Sequence, residues 1–410
     1  MGGMTRVVLV TGLGGAGRTT VAAATALAAA RSGARVLLLA ADGTADADTV
    51  LGTGLGDVPR EIALDGEPEA ASGLFAARVD VQDEFQREFL AVQDTVGGLL
   101  GLIGVDPLDP EEIVAVPGAV DALALRVLAR HAESDAWDTI VVDLPPVDRA
   151  AVALALPEAL SRYVDRLLPV ERQAARALRP MLAAVAGVPM PDDWVYATAR
   201  RVVAELDAVR ALLDAPGTGI RFVTRAGAVA AASDRRAAAA LALFGRRVED
   251  VVVNGVREAA DGGGSAGSAS SPGERVTALR ELYPEAAVHS LAASADEPIG
   301  PGRLAGLGVP GVRTVAEPGA DDLPPGAVRD VFEVETDGEY FVLVVPLPGA
   351  ERGDLDLLRR GDELVVTVGA VRRLIPLPSA LRRCTVQGAG LRGGTLRVRF
   401  LPDPAVWMRS

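Results

Sequence analysis

The stretch "TGLGGAGRTT", residues 11–20, follows the apolar run "RVVLV" without a break. An apolar run that gives way to glycines and then to an alanine-rich segment constrains this chain more than any other feature. Glycines reach backbone conformations closed to other residues and let amides converge on an anion. A helix that begins there points its positive end at the same place. Gly12, Gly14, Gly15, Ala16, Gly17, Arg18, Thr19 and Thr20 therefore read as a phosphate cradle with the spacing G-x-x-x-x-G-basic-T. Thr19 would offer its hydroxyl to Mg²⁺ and Arg18 its charge to phosphate. The alternative is a glycine-rich turn with no ligand. Arginine is a broad planar fork, and lysine, which it replaces here, is a slim point charge. The 41 basic residues are all arginine, so drift against lysine also accounts for Arg18.

The surroundings predict a doubly wound, mostly parallel α/β sheet. Residues 5–10 read as a buried strand, "TTVAAATALAAARSG" as a helix stopped by Gly33, and "ARVLLLAAD" as a second strand, together one βαβ unit. Further Val-rich strands are expected at 138–146, 220–227 and 248–256, with helices between them and a helical insert at about 84–133. Helices are also expected at 147–160, 171–186 and 193–214. A Gly/Ser loop spans 261–273. This domain is placed at 1–312 and a Pro/Gly/Asp-rich linker at 313–328. An all-β sandwich is placed at 329–404, where apolar and polar residues alternate around turns at Asp337-Gly338 and near Gly369.

Composition excludes several functions. A net charge of −14 argues against a nucleic-acid surface. One cysteine, Cys384, and two histidines leave no thiol or imidazole metal site, only a magnesium held by oxygens. No signal-peptide pattern or long apolar run is seen, so a cytoplasmic protein with at most peripheral membrane contact is expected.

Three polar residues end predicted strands at the edge where α/β ligands bind. Asp42 is placed to orient an attacking water, or is a solvated loop acid. Asp143 is placed to hold Mg²⁺, or caps a helix. Asn254 presents an amide that suits a purine edge, or is a turn residue.

These segments, in this order, resemble the ArsA-like ATPases, which include the arsenite-pump ATPase and the targeting factor for tail-anchored membrane proteins. The family loop G-K-G-G-V-G-K-T-T stands here as G-L-G-G-A-G-R-T-T. The first switch, D-P-A-H, stands as Asp42-Gly43-Thr44-Ala45. The second, D-T-A-P-T-G-H, stands as Asp143-Leu144-Pro145-Pro146-Val147-Asp148-Arg149. "VPGAVDAL", "VVVNGV" and "DEPIG" match later family segments. The last domain resembles the α-crystallin, or small heat-shock protein, fold through "YFVLVVPLPGAERGDLDLLRRGDELVVTVG" and "GTLRVRFLP".

The resemblance implies ATP/ADP and Mg²⁺ as ligands, with Asp42 catalytic, Thr19 and Asp143 on the metal, and Asn254 on the adenine side. It also implies a homo- or heterodimer acting on protein clients or with a paralogue. In the family the first loop lysine crosses that dimer to the partner's nucleotide, which Leu13 cannot do. Asp148 would bring a like charge towards phosphate. Slow hydrolysis or none is expected, in a chaperone-like targeting factor or a catalytically dead regulatory relative. An arsenite-pump subunit would want clustered thiols, which this chain lacks.

Overall fold

The computed structural model describes residues 5–64, 73–102, 107–116, 118–167, 193–256, 272–313 and 332–404. Its first body is built on an eight-stranded sheet of β1 (Arg6–Gly12), β2 (Val36–Ala40), β3 (Arg60–Glu61), β4 (Leu74–Arg78), β5 (Thr139–Asp143), β6 (Thr218–Arg225), β7 (Val248–Val256) and β8 (Ala287–Ala292). The order is β3-β4-β2-β5-β1-β6-β7-β8. Only the β3–β4 pair is antiparallel; β1 pairs in parallel with β5 on one side and β6 on the other. Every residue of β1, β2 and β5 is buried, the pattern of parallel strands covered by helices on both faces.

Those helices are α1 (Arg18–Arg31), α2 (Asp46–Leu51), α3 (Val81–Leu102), α4 (Ala119–Glu133), α5 (Val147–Leu167), α6 (Asp193–Asp214), α7 (Ala228–Leu243), α8 (Pro272–Leu282) and α9 (Pro301–Ala305). Helix α1 packs densely because its inner face is alanine, with Val21 and Leu27 also buried. The expected insert is two helices, α3 and α4, held by Arg126, which pairs with Glu88 and with Glu205 of α6. Helix α5 continues through Pro157 to Leu167, past its expected end at 160. Proline removes one ladder donor, yet neighbouring helices hold such a helix together.

A buried ionic seam ties β1, β6 and β7 to one another and to α1. Arg221, 1% exposed, bonds Asp250 at 3.0 Å, the Thr25 hydroxyl of α1 at 2.7 Å, and the carbonyls of Pro310 and Gly311. Arg6 pairs with Glu249 beside it.

The second body is a sandwich. One sheet runs β14 (Cys384–Arg392), β15 (Thr395–Pro402), β10 (Tyr340–Pro346), β9 (Glu333–Asp337); the other runs β11 (Leu355–Arg360), β12 (Glu363–Val368), β13 (Val371–Pro376). A one-turn helix, α10 (Ser379–Arg382), leads into β14. The hairpins close where turn glycines sit, at Gly338 (φ 64°) and Gly369 (φ 57°). Val342, Leu343, Val366, Val398 and Phe400 form its core.

The expected helix at 171–186, the linker at 313–328 beyond Arg313, and the Gly/Ser loop up to residue 271 lie outside the described residues. Residues 272–273 open α8. No helix among the described residues is long and apolar enough to cross a membrane.

Candidate phosphate and magnesium site

Strand β1 ends on the loop that the glycines predicted. A Cβ at Gly12 would collide with the Val223 carbonyl of β6, so the loop leaves the sheet through a gap only glycine fits. The Leu13 amide still bonds that carbonyl at 2.9 Å, and the Ala16 amide returns to Leu13 at 3.1 Å. Gly15 (φ 68°) and Gly17 (φ 83°) take the left-handed conformation. Gly17 caps α1, whose first residues are Arg18, Thr19 and Thr20. The loop is thus a turn of backbone amides at a helix start, the arrangement that binds phosphate.

Four predicted side chains gather beside it. Asp143 ends β5 next to β1 and is 1% exposed. Neither of its carboxylate oxygens has a hydrogen-bond partner of good geometry. Burial pushes its pKa up to about 7. The nearby Thr19 hydroxyl and the Arg18 charge oppose that rise, and the carboxylates of Asp42 and Asp46 add to it. An orphaned, buried carboxylate beside a threonine hydroxyl at a helix start fits a hard cation that takes oxygen ligands. Among the described residues no group of three or more His, Cys, Asp or Glu could hold a metal. A magnesium here would be shared with phosphate oxygens rather than caged by protein.

Asp42 is buried at the end of the neighbouring strand. Its carboxylate accepts from the Thr44 amide at 2.9 Å and from the Thr44 hydroxyl at 2.9 and 3.0 Å. This fixes its direction in a way the sequence did not suggest.

Two candidates make contacts that the sequence did not specify. The Arg18 guanidinium donates to the Leu144 carbonyl and so reaches across to the second switch. The Asn254 amide donates to the Ala16 carbonyl at 2.8 Å and lies against Gly17. This contact ties the end of β7 to the cradle. Leu13 is buried, 8% exposed, and packs into the core. Asp148 is exposed in the first turn of α5.

Sequence reasoning passed over Arg225. It ends β6, the strand next to β1, and a Cβ on Gly15 would lie 3.9 Å from its Nη1. No described residue pairs with its guanidinium. A basic residue at the carboxyl end of the strand neighbouring the loop was the available signal. Thr11 was also missed: its hydroxyl bonds the Pro145 carbonyl at 2.8 Å and locks β1 to the second switch.

The sequence matches two family models. Residues 5–307 match the anion-transporting ATPase (ArsA) family, and residues 338–400 match the HSP20-like domain found in ArsA proteins. The chain belongs to the ArsA ATPase family. An uncharacterised protein of Streptomyces coelicolor is 45% identical, covering 99% of this chain and all of that relative. A putative arsenical pump-driving ATPase 1 of Aquifex aeolicus is 25% identical, over 92% of this chain and 95% of the relative. The ATPase GET3 of Podospora anserina is 23% identical over 51% of this chain and 58% of its own length. The two-body architecture of this ArsA member, α/β followed by β-sandwich, agrees with both matched models.

Proposed function

We propose that this ArsA-family protein binds Mg²⁺-ATP and Mg²⁺-ADP in the loop at residues 12–20, hydrolyses ATP slowly, and uses the nucleotide to control protein clients as a dimer. The observation that carries the reading is the buried carboxylate of Asp143, which has no hydrogen bond of good geometry and lies beside the Thr19 hydroxyl at the start of α1. Burying a carboxylate without a partner is costly, and a cation is the partner that removes the cost.

In this reading the loop amides and the α1 N-terminus hold the phosphates. Thr19 and Asp143 hold the magnesium, which neutralises phosphate charge when bound. Asp42, fixed by Thr44, faces the attacking water. Phosphoryl transfer depends on positioning and electrostatics, and here both are weakened. Arg18 is engaged with Leu144, Leu13 is packed inward, and Asp148 adds negative charge at the start of α5. The client role rests on the family and on the relative named ATPase GET3.

The same three residues favour a second reading, a catalytically dead protein that binds nucleotide as a regulatory partner of a competent paralogue. The arsenical-pump reading suggested by other relatives' names has less support, since the single cysteine, Cys384, is buried in the sandwich.

Titration calorimetry with Mg²⁺-ADP and Mg²⁺-ATP, run beside a phosphate-release assay, tests these readings. Binding with turnover lost in Asp42→Asn supports the first. Binding without turnover supports the second, and no binding refutes both.

A further inference from the structure

Helix α5 connects the cradle to the sandwich. Only Leu144, Pro145 and Pro146 separate Asp143 from its first turn. These residues are tied to the loop, because Arg18 donates to the Leu144 carbonyl and Thr11 to the Pro145 carbonyl. Farther along, Glu158 and Arg162 stand four residues apart, and so on one face. Each makes a two-point ion pair with the sandwich. Glu158 takes Arg373 of β13 at 3.0 and 3.2 Å, and Arg162 takes Glu363 of β12 at 2.8 and 2.9 Å. Arg373 also donates to the Leu243 carbonyl at the end of α7, at 2.8 Å. Gly349 (φ 75°) lies so close to Arg235 of α7 that a Cβ would come within 2.7 Å of the Arg235 carbonyl.

The two bodies share a continuous apolar core, but it is interrupted beside the loop. A cavity of about 900 Å³ lies between the loop and the sandwich, lined by Leu13, Gly14, Val147 and Val152 on one side and Gly349 and Val371 on the other. Packed interiors resist displacement. Val147, Ala150 and Ala151 anchor the start of α5 in the core, and the void lies open on its Val147 and Val152 side.

We propose that α5 reports phosphate in the cradle to the β-sandwich and thereby sets whether the sandwich stays clamped. The inference rests on the nucleotide-binding reading and concerns its regulation. A phosphate outcompetes a neutral carbonyl for a guanidinium, because charge-assisted hydrogen bonds are the stronger ones. Phosphate therefore draws Arg18 from Leu144 and removes one tie of the second switch, leaving the Thr11 bond to Pro145 as the pivot. A two-point ion pair tolerates little displacement, because hydrogen bonds fail beyond about 3.5 Å. A shift of about an ångström along α5 would thus open the clamp. Linkage is reciprocal: if phosphate loosens the clamp, a loosened clamp binds phosphate more tightly.

The test uses the full chain, with Mg²⁺-ATP as the probe. Arg162→Glu and Glu363→Arg each break one ion pair, and the double variant restores it with the charges exchanged. Each single variant is expected to bind Mg²⁺-ATP at least about fivefold more tightly, and the double variant to return to the parent value. Hydrogen exchange of the unaltered protein at 349–354 and 371–376 should rise on saturation with Mg²⁺-ATP. Unchanged affinity in folded single variants, or unchanged exchange at those segments, overturns the coupling while leaving nucleotide binding intact. A parent protein that binds no nucleotide overturns both.

Discussion

Replacing Asp143 by asparagine removes the titration of a buried carboxyl while keeping its shape, and the consequence can be worked out in sign and size. In the unfolded chain this group loses its proton near 3.8; in the folded protein it keeps it until about 7. Between those values the unfolded state binds fewer protons, so stability falls as pH rises across the window and levels off above it. At about 1.4 kcal/mol per unit, the folded protein carries a penalty of about 4 kcal/mol at pH 8 and about 2 kcal/mol at pH 5. The Asp143→Asn variant does not carry it. In metal-free buffer its stability relative to the parent should therefore rise by about 2 to 3 kcal/mol between pH 5 and pH 8. Urea unfolding followed by tryptophan fluorescence reads this, since Trp137 is buried against Phe75 in the α/β body. Any pH-independent cost of the amide cancels in the difference. Mg²⁺-ADP should stabilise the parent and not the variant. A stability difference that stays constant from pH 5 to pH 8 would refute the argument.

Other expectations follow from single contacts. Gly12→Ala drives a methyl into the Val223 carbonyl; denaturant unfolding should show a loss of roughly 3 kcal/mol or more, or no folded protein. Arg221→Ala leaves Asp250 in the buried seam with only the more distant His289 and Arg313, at 3.5 and 3.8 Å, and should cost about 3 kcal/mol, a loss that the Arg221→Ala/Asp250→Ala pair reduces in the same assay. Arg18→Lys supplies the slimmer cation and should raise phosphate release roughly tenfold; unchanged release would place the defect at Leu13 or Asp148. Gly349→Val should lower the urea midpoint of the parent chain and raise hydrogen exchange at 371–376, because its side chain meets the Arg235 backbone.

How legible these features are depends on how local their causes are. Strands β1 and β5 centre on the unbroken apolar runs "VVLV" and "IVV", and β7, centred on "VVV", occupies the whole of the expected 248–256. The hairpins declare themselves through turn glycines. Strand β4, "LFAAR", is half alanine by its inner positions and carries little β-propensity. Strand β11, "LDLLRR", reads as a charged stretch because its alternation is broken by adjacent leucines. Both were absent from the sequence reading. The site divides the same way. The glycine loop, Thr19, Asp42 and Asp143 follow from strand ends and spacing. Arg18 on Leu144, Asn254 on Ala16 and Arg225 beside Gly15 depend on which strands lie side by side and in what register, which no single segment specifies.

The clamp between α5 and the sandwich joins two parts of one covalent chain. Partly exposed ion pairs are individually weak, and two separate molecules held only by them would drift apart. Within one chain the sandwich meets α5 at an effective concentration on the order of millimolar when the joining segment is short. Opening is then reversible without loss of the domain, and a free sandwich added in trans competes poorly. A modest change in the two ion pairs is enough to loosen the sandwich from α5, while its contacts with α7 keep it in place for re-closure.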